Sequence, residues 1–143
     1  MAIRIQFHQS DSVAQRDTRK MRNVIRRIAN DYGWEQGEVS IALVSDAEIH
    51  TLNREHLKHD YPTDVISFDL TESETFLEGE VIASVTTADR CAVEHGWNAD
   101  SELLLYVIHG MLHVVGLRDK SPRDARLMRQ EETHYLALAG VHR

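Results

Sequence analysis

The chain has one cysteine in 143 residues. Cys91 has no partner for an intramolecular disulfide, and a fold without such staples suits a reducing compartment, so a cytoplasmic location is expected. Long apolar runs are also missing. The stretch Leu103 to Ile108 is far too short to cross a bilayer, and Met1-Ala2-Ile3-Arg4-Ile5-Gln6 lacks the apolar length of a secretory signal, so no membrane partner is expected. Positive charge is in deficit. Sixteen Lys and Arg against 23 Asp and Glu give a formal net charge of −7, which argues against indiscriminate nucleic-acid binding but leaves room for a local basic patch. There is no internal repeat, low-complexity tract or linker. With 42% hydrophobic and 27% charged residues the composition is that of an ordinary globular protein, and one domain spanning residues 1–143 is expected.

Against this background one stretch carries chemistry: His109-Gly110-Met111-Leu112-His113-Val114-Val115-Gly116-Leu117-Arg118-Asp119. Its two histidines lie four apart inside an otherwise apolar run from Leu103 to Val115. On a helix that spacing puts both imidazoles on one face, one turn apart. Gly116 predicts a helix stop, because glycine takes the left-handed cap conformation without steric cost. Beyond it the chain can fold back and bring Asp119 toward the rings. Two imidazoles and a carboxylate are ligand types that zinc accepts, and a catalytic zinc keeps a fourth position for water. The residues alone leave two readings open, core histidines with hydrogen-bond partners or a metal site. A buried ring left unpaired costs about 1–3 kcal/mol, and a metal satisfies both rings at once. The zinc-protease pattern of this spacing has Glu directly after the first His as general base. Here that position is Gly110, which counts against a peptidase. The pairs Cys91/His95 and His56/His59 have no third partner nearby in sequence, and Cys91 reads as a small buried residue.

Taken in order, Ile3 to His8 alternates like a half-buried strand. Ser10 or Ser12 is expected to cap the helix that follows, with Met21, Val24, Ile25, Ile28 and Tyr32 on its apolar stripe and Gly33 at its end. Arg16, Arg19, Lys20, Arg26 and Arg27 are expected on the opposite face, with Arg22 at the flank, as either a solvated surface or a patch for phosphates. Glu38 to Val44 reads as a second strand. Ser45 and Glu48 form a capping-box pattern for a helix that buries Ile49 and Leu52. Residues 56–64 read as a loop, Val65 to Phe68 as a third strand and Val81 to Val85 as a fourth, opened by Gly79-Glu80. A helix from Thr86 to about Gly96 follows. Asn98 or Asp100 then caps the helix carrying the histidines, and Ser121-Pro122 opens the last helix, with Ala125, Met128, Glu132, Tyr135, Leu136 and Ala139 inward. The expected class is α+β, three-layer α/β/α-like, with helices packed on a small mixed sheet of about four strands.

Several separated blocks, in order and spacing, resemble the YbeY family over nearly the whole chain. They are Leu52-Asn53, Asp60, Pro62-Thr63-Asp64-Val65-Ile66-Ser67-Phe68, Gly79-Glu80-Val81, and His109-Gly110-x-Leu112-His113-Val114-x-Gly116. The resemblance implies a metal-dependent endoribonuclease acting on single-stranded RNA. It further implies a role in maturation of the 3′ end of small-subunit ribosomal RNA and in ribosome quality control, with ribosomal RNA and the small subunit as partners. It also implies that His109 and His113 are zinc ligands. Two departures bear on the chemistry. The family's third ligand is usually a histidine, and Asp119 stands at that position. Its negative charge makes the metal a weaker Lewis acid and lets Mn2+ or Mg2+ compete with Zn2+. The family often has a catalytic arginine before Pro-Thr-Asp, and Leu57 stands there, with Lys58 adjacent as its expected substitute. Asp64 and Glu80 are candidate general bases if the loop folds over the site, with a turn or cap role after Thr63 the simpler reading of Asp64. Two rival functions stay open, a metal hydrolase of another substrate and a ribosome-assembly factor with a structural metal.

Overall fold

The computed structural model describes residues 2–57 and 63–143. Among these residues nine elements follow one another: β1 (Ile3–Gln9), α1 (Arg19–Asp31), β2 (Gly37–Val44), α2 (Asp46–Leu57), β3 (Val65–Asp69), β4 (Leu77–Ser84), α3 (Val85–His95), α4 (Ala99–Val114) and α5 (Pro122–Leu138). The sheet order is β1-β2-β4-β3. β1, β2 and β4 run parallel and β3 is antiparallel to β4. This is the mixed α+β architecture expected from the alternation of strand and helix patterns.

Strand side chains alternate between two apolar layers, as a period of two requires. Val39, Ile41, Leu43, Val81 and Ala83 belong to the large core shared with α1, α3, α4 and α5. On the opposite face Val44, Ile66 and Ile82 pack with Ile49 of α2 in a smaller cluster. α4 is the central helix, with eleven of its sixteen residues buried. Such a helix is apolar nearly all round because it has neighbours nearly all round. Two glycines let it lie close to the sheet. A Cβ on Gly110 would stand 2.6 Å from Val81 Cγ1 and 3.2 Å from Val65 Cγ2, and one on Gly79 would stand 2.4 Å from Val114 Cγ1. The contact against the sheet therefore explains why residue 110 carries no side chain, and it leaves no room for a glutamate there.

Caps follow sequence where they are local. Asn98 Oδ1 accepts from Ser101 N–H, Ser121 Oγ from Asp124 N–H, and Ser84 Oγ from Thr87 N–H. Ser45 and Glu48 exchange the two bonds of a capping box at 3.0 and 3.3 Å.

Four expectations need correction. Ser10 and Ser12 do not cap α1, which starts at Arg19 behind Thr18 without a side-chain cap. Parallel pairing of β1 with β2 places the end of β1 beside the start of α2, and both hydroxyls donate to Glu48 at 2.5–2.9 Å. Arg16 consequently precedes the helix, where Asp89 and Asp100 hold it at 2.8 and 2.7 Å. β4 begins at Leu77, and Val85 is already helical because Ser84 caps α3. Ala125, on the first turns of α5, is exposed.

Two measurements test these assignments. Gly110→Ala gains about 1 kcal/mol of helix propensity but overpacks against the fully buried, branched Val81. At 2.6 Å from Val81 Cγ1 the overpacking falls in the upper part of its usual range, about 2–3 kcal/mol, so the expected net outcome is a loss of about 1–2 kcal/mol, read as a lower urea midpoint at unchanged m; an unchanged midpoint contradicts the close approach. The second concerns Glu48, whose hydrogen bonds from Ser12, Ser10 and Ser45 outweigh desolvation and hold its carboxyl at about 2 against 4.5. A depressed acid stabilises the fold fully above its unfolded value and loses that contribution as pH falls through the folded one. The stability gap between wild type and Glu48→Gln is therefore constant above pH 4.5 and closes toward pH 2. A gap independent of pH contradicts this role.

Candidate metal centre

His109 and His113 lie one turn apart at the end of α4, where it meets α5 and the loop after Gly116. The helix stops in a reverse turn. Gly116 adopts φ 109°, its N–H donates to His113 O at 3.0 Å, and Leu117 N–H donates to Leu112 O at 2.9 Å. This is the bond pattern of a Schellman cap. The turn aims the Leu117 carbonyl back at His113, whose Nδ1 lies 2.8 Å from it. The other ring is fixed from α5, with His109 Nδ1 2.6 Å from Glu132 Oε2. A carbonyl and a carboxylate only accept, so both Nδ1 atoms carry a hydrogen, and in the neutral rings both Nε2 atoms present lone pairs.

Those lone pairs converge. His109 Nε2 and His113 Nε2 are 3.0 Å apart, and Asp119 Oδ2 lies 3.4 and 3.3 Å from them. One ligand atom from each residue fits within a 4.8 Å cluster. Three electron-rich atoms this close repel one another unless a positive charge lies between them. The donor set, two imidazole nitrogens and one carboxylate oxygen, fits a divalent ion of the zinc type. The rings are about one-quarter exposed and the Asp119 side chain 38%, so one side of the cluster faces solvent.

The surrounding carboxylates favour positive charge at this point, whether a proton or a metal ion supplies it. Burial works against a charged His109 ring, but the Glu132 carboxylate outweighs it, helped by Asp119 and Asp64, so the ring holds positive charge more readily than an ordinary histidine. Burial likewise works against a charged Glu132, and His109 together with Arg143 keeps it ionised below the usual range. Arg143 Nη2 reaches Glu132 Oε1 at 3.0 Å.

The structure brings together His109, His113 and Asp119. Asp64 is exposed at the start of β3. Its carbonyl accepts from Ser84 N–H at 2.9 Å, and its charge acts on His109. Lys58, the expected stand-in for the family arginine, lies outside the described residues, as do His59 and Asp60. Strand alternation puts Glu80 on the sheet face of Ile82 and α2, opposite the α4 histidines, which removes it as a base. Cys91 and His95 form no metal pair. His95 Nδ1 and Trp97 Nε1 instead donate to the buried Glu102 at 2.7 and 2.6 Å. The helical pattern of the sequence puts Glu132 on the inner face of α5, and its bond to His109 appears only in the structure. Its signal was available, since an acid on an apolar stripe needs a buried partner.

Fold and site together define an α+β protein with a helix-borne cluster of two histidines and one carboxylate that is compatible with a metal-dependent nuclease. A family model described as Endoribonuclease YbeY matches residues 4–140. The chain is 45% identical over 111 residues to an Endoribonuclease YbeY of Rhodopirellula baltica, covering 76% of this chain and 57% of that protein. It is 35% identical over 133 residues to one of Bacteroides thetaiotaomicron, covering 92% and 96%. The solution structure of a Thermotoga maritima protein superposes with a TM-score of 0.64 at 27% identity, covering 95% of this chain and 90% of that one. The chain belongs to the YbeY family.

The hold of Glu132 on the His109 ring has a direct measure. Glu132→Ala is expected to lower zinc affinity about 10- to 100-fold in calorimetric titration while the protein stays folded, and Glu132→Gln is expected to lower it less. Unchanged affinity in the alanine variant contradicts the role.

Proposed function

We propose that this chain is a zinc-dependent endoribonuclease specific for single-stranded RNA. Its place is the cytoplasm, in 3′-end maturation of small-subunit ribosomal RNA and in ribosome quality control. The observation that carries the reading is the convergence of His109 Nε2, His113 Nε2 and Asp119 Oδ2 at a solvent-facing point, in a chain whose relatives are named endoribonucleases. His109, His113 and Asp119 hold the ion. Glu132 and the Leu117 carbonyl keep both Nε2 atoms aimed at it. A bound divalent cation supplies Lewis-acid stabilisation of the charge that gathers on phosphoryl oxygens during phosphodiester cleavage.

In this reading Asp64 accepts the proton of the attacking oxygen, and Lys58 balances charge on the scissile phosphate in place of the family arginine lost at Leu57. Asp119 in place of histidine leaves the site one negative charge richer, which favours manganese or magnesium more than three imidazoles do. The absence of a side chain at residue 110 removes the general base of zinc peptidases and favours a phosphoester substrate over a peptide.

The test is cleavage of a single-stranded oligoribonucleotide by zinc-loaded protein, with and without chelator. The expected result is internal cleavage that stops on chelation while circular dichroism shows the fold intact. Unfolding on chelation, without cleavage by the loaded protein, supports an assembly factor with a structural metal instead. His113→Ala is expected to stay folded, to lose stoichiometric zinc and to lose cleavage; retained zinc contradicts the ligand assignment. Asp119→His is expected to keep zinc or bind it more tightly, and a large loss of metal there removes Asp119 from the ligand set.

A further inference from the structure

The distribution of unpaired positive charge points away from the helix that the sequence singles out. The α1 side of the molecule has many cations, but most are engaged. Arg16 is bound by Asp89 and Asp100, Arg19 by Asp17 and Arg27 by Asp31. Arg22 donates to Ile5 O at 2.6 Å and lies over the Phe7 ring, and Arg26 points to Ile3 O at 3.5 Å. A groove of about 1060 Å3 runs along this side, yet Asp17 and Asp100 line it together with Arg19, Lys20 and Arg27. Its field is largely cancelled from within.

The segment that follows the metal centre is different. Arg118, Lys120, Arg123, Arg126 and Arg129 fall within twelve residues that contain two acids, Asp119 and Asp124, in a chain of net charge −7. All five basic residues are exposed. Among the described residues none of the five is ion-paired. Arg118 and Lys120 flank Asp119 directly. Helical geometry puts Arg123 and Arg126 on the outer face of α5, turned away from Met128 and Glu132. A shallow depression of about 450 Å3 on that face is lined by Arg123, Asp124, Arg126, Leu127 and Gln130. Of the two acids in the segment, Asp119 belongs to the ligand set, so Asp124 is left as the local counter-charge.

Building on the nuclease reading, we propose that the strand of RNA leaving the metal centre runs over the loop 117–121 and the outer face of α5, its phosphates held by Arg118, Lys120, Arg123 and Arg126. Unpaired guanidinium groups bind phosphate without first breaking an internal ion pair, and their planar fork suits two phosphate oxygens at once. The patch joins the metal ligands through the loop, where Arg118 and Lys120 flank Asp119 and α5 starts three residues after it. A polyanion drawn to this patch is delivered to the one side of the ligand cluster that faces solvent. The acidic remainder of the surface repels it elsewhere.

The experiment measures binding without cleavage. A fluorescein-labelled 12-nucleotide oligouridylate is titrated with the full chain in EDTA, by polarisation, across a salt series. Three double variants are compared with wild type: Arg123→Glu/Arg126→Glu, Arg123→Lys/Arg126→Lys, and Lys20→Glu/Arg27→Glu on the α1 side. The glutamate pair on α5 is expected to weaken binding about tenfold or more at low salt and to reduce the slope of log affinity against log salt by about 1.4 or more. The lysine pair is expected to keep the slope, and the α1 pair to change affinity less than about twofold. An unchanged slope in the α5 glutamate pair overturns the proposal, as does an equal or greater loss in the α1 pair. Failure of the metal-loaded wild type to cut RNA sinks the nuclease reading and leaves this binding result to be judged separately.

Discussion

Two hydrogen bonds decide what the end of α4 can do. Glu132 and the Leu117 carbonyl each take an Nδ1 hydrogen, and so force two Nε2 lone pairs to face each other 3.0 Å apart beside a carboxylate oxygen. Either bond alone would leave one ring free to turn or to change tautomer. Together they make a cluster that is electrostatically costly when empty of positive charge and favourable around a cation. One partner comes from the helix cap itself and the other from a different helix, so the site forms only when α4 and α5 are docked.

That docking depends on how α4 lies on the sheet. Gly110 and Gly79 remove two side chains at the contact, letting α4 approach until Val81 and Val114 fill the space. The helix is then braced by the sheet below it and by α1, α3 and α5 around it. A histidine pair carried by a helix that is buried on most sides has little freedom to move, which is what preorganised coordination would require. Schellman closure at Gly116 sets where the loop turns back, and thereby where Asp119 stands.

Much of this was legible in the chain because it is local. The His-x3-His spacing, the glycine stop, the capping box of Ser45 and Glu48, and the alternation of β1 and β2 are all set within a few residues. Several of the differences share one cause, which is partners distant in sequence. Ser10 and Ser12 are good cap residues by type, but the parallel pairing of β1 and β2 offers them Glu48, 36 or more residues away. Arg16 looked like part of a helix face until Asp89 and Asp100 claimed it from other elements. Glu132 was placed on the correct face of α5, yet its bond to His109 spans 23 residues and no spacing rule reports it. Glu80 was misjudged for a simpler reason, since a strand's period of two puts it on the far face of the sheet. The basic run from Arg118 to Arg129 was in plain view, but only the structure separates unpaired cations from paired ones.

The function proposed for this site requires a single cation between one carboxylate and two imidazoles, each ring bound through its Nε2. Anomalous diffraction at the zinc edge from crystals grown with zinc is the most direct test. The expected result is one peak, about 2.0–2.2 Å from His109 Nε2, His113 Nε2 and an Asp119 carboxylate oxygen, with both Nδ1 atoms still bonded to Glu132 and Leu117. Zinc bound elsewhere, or the three side chains turned apart with no peak between them, would contradict it.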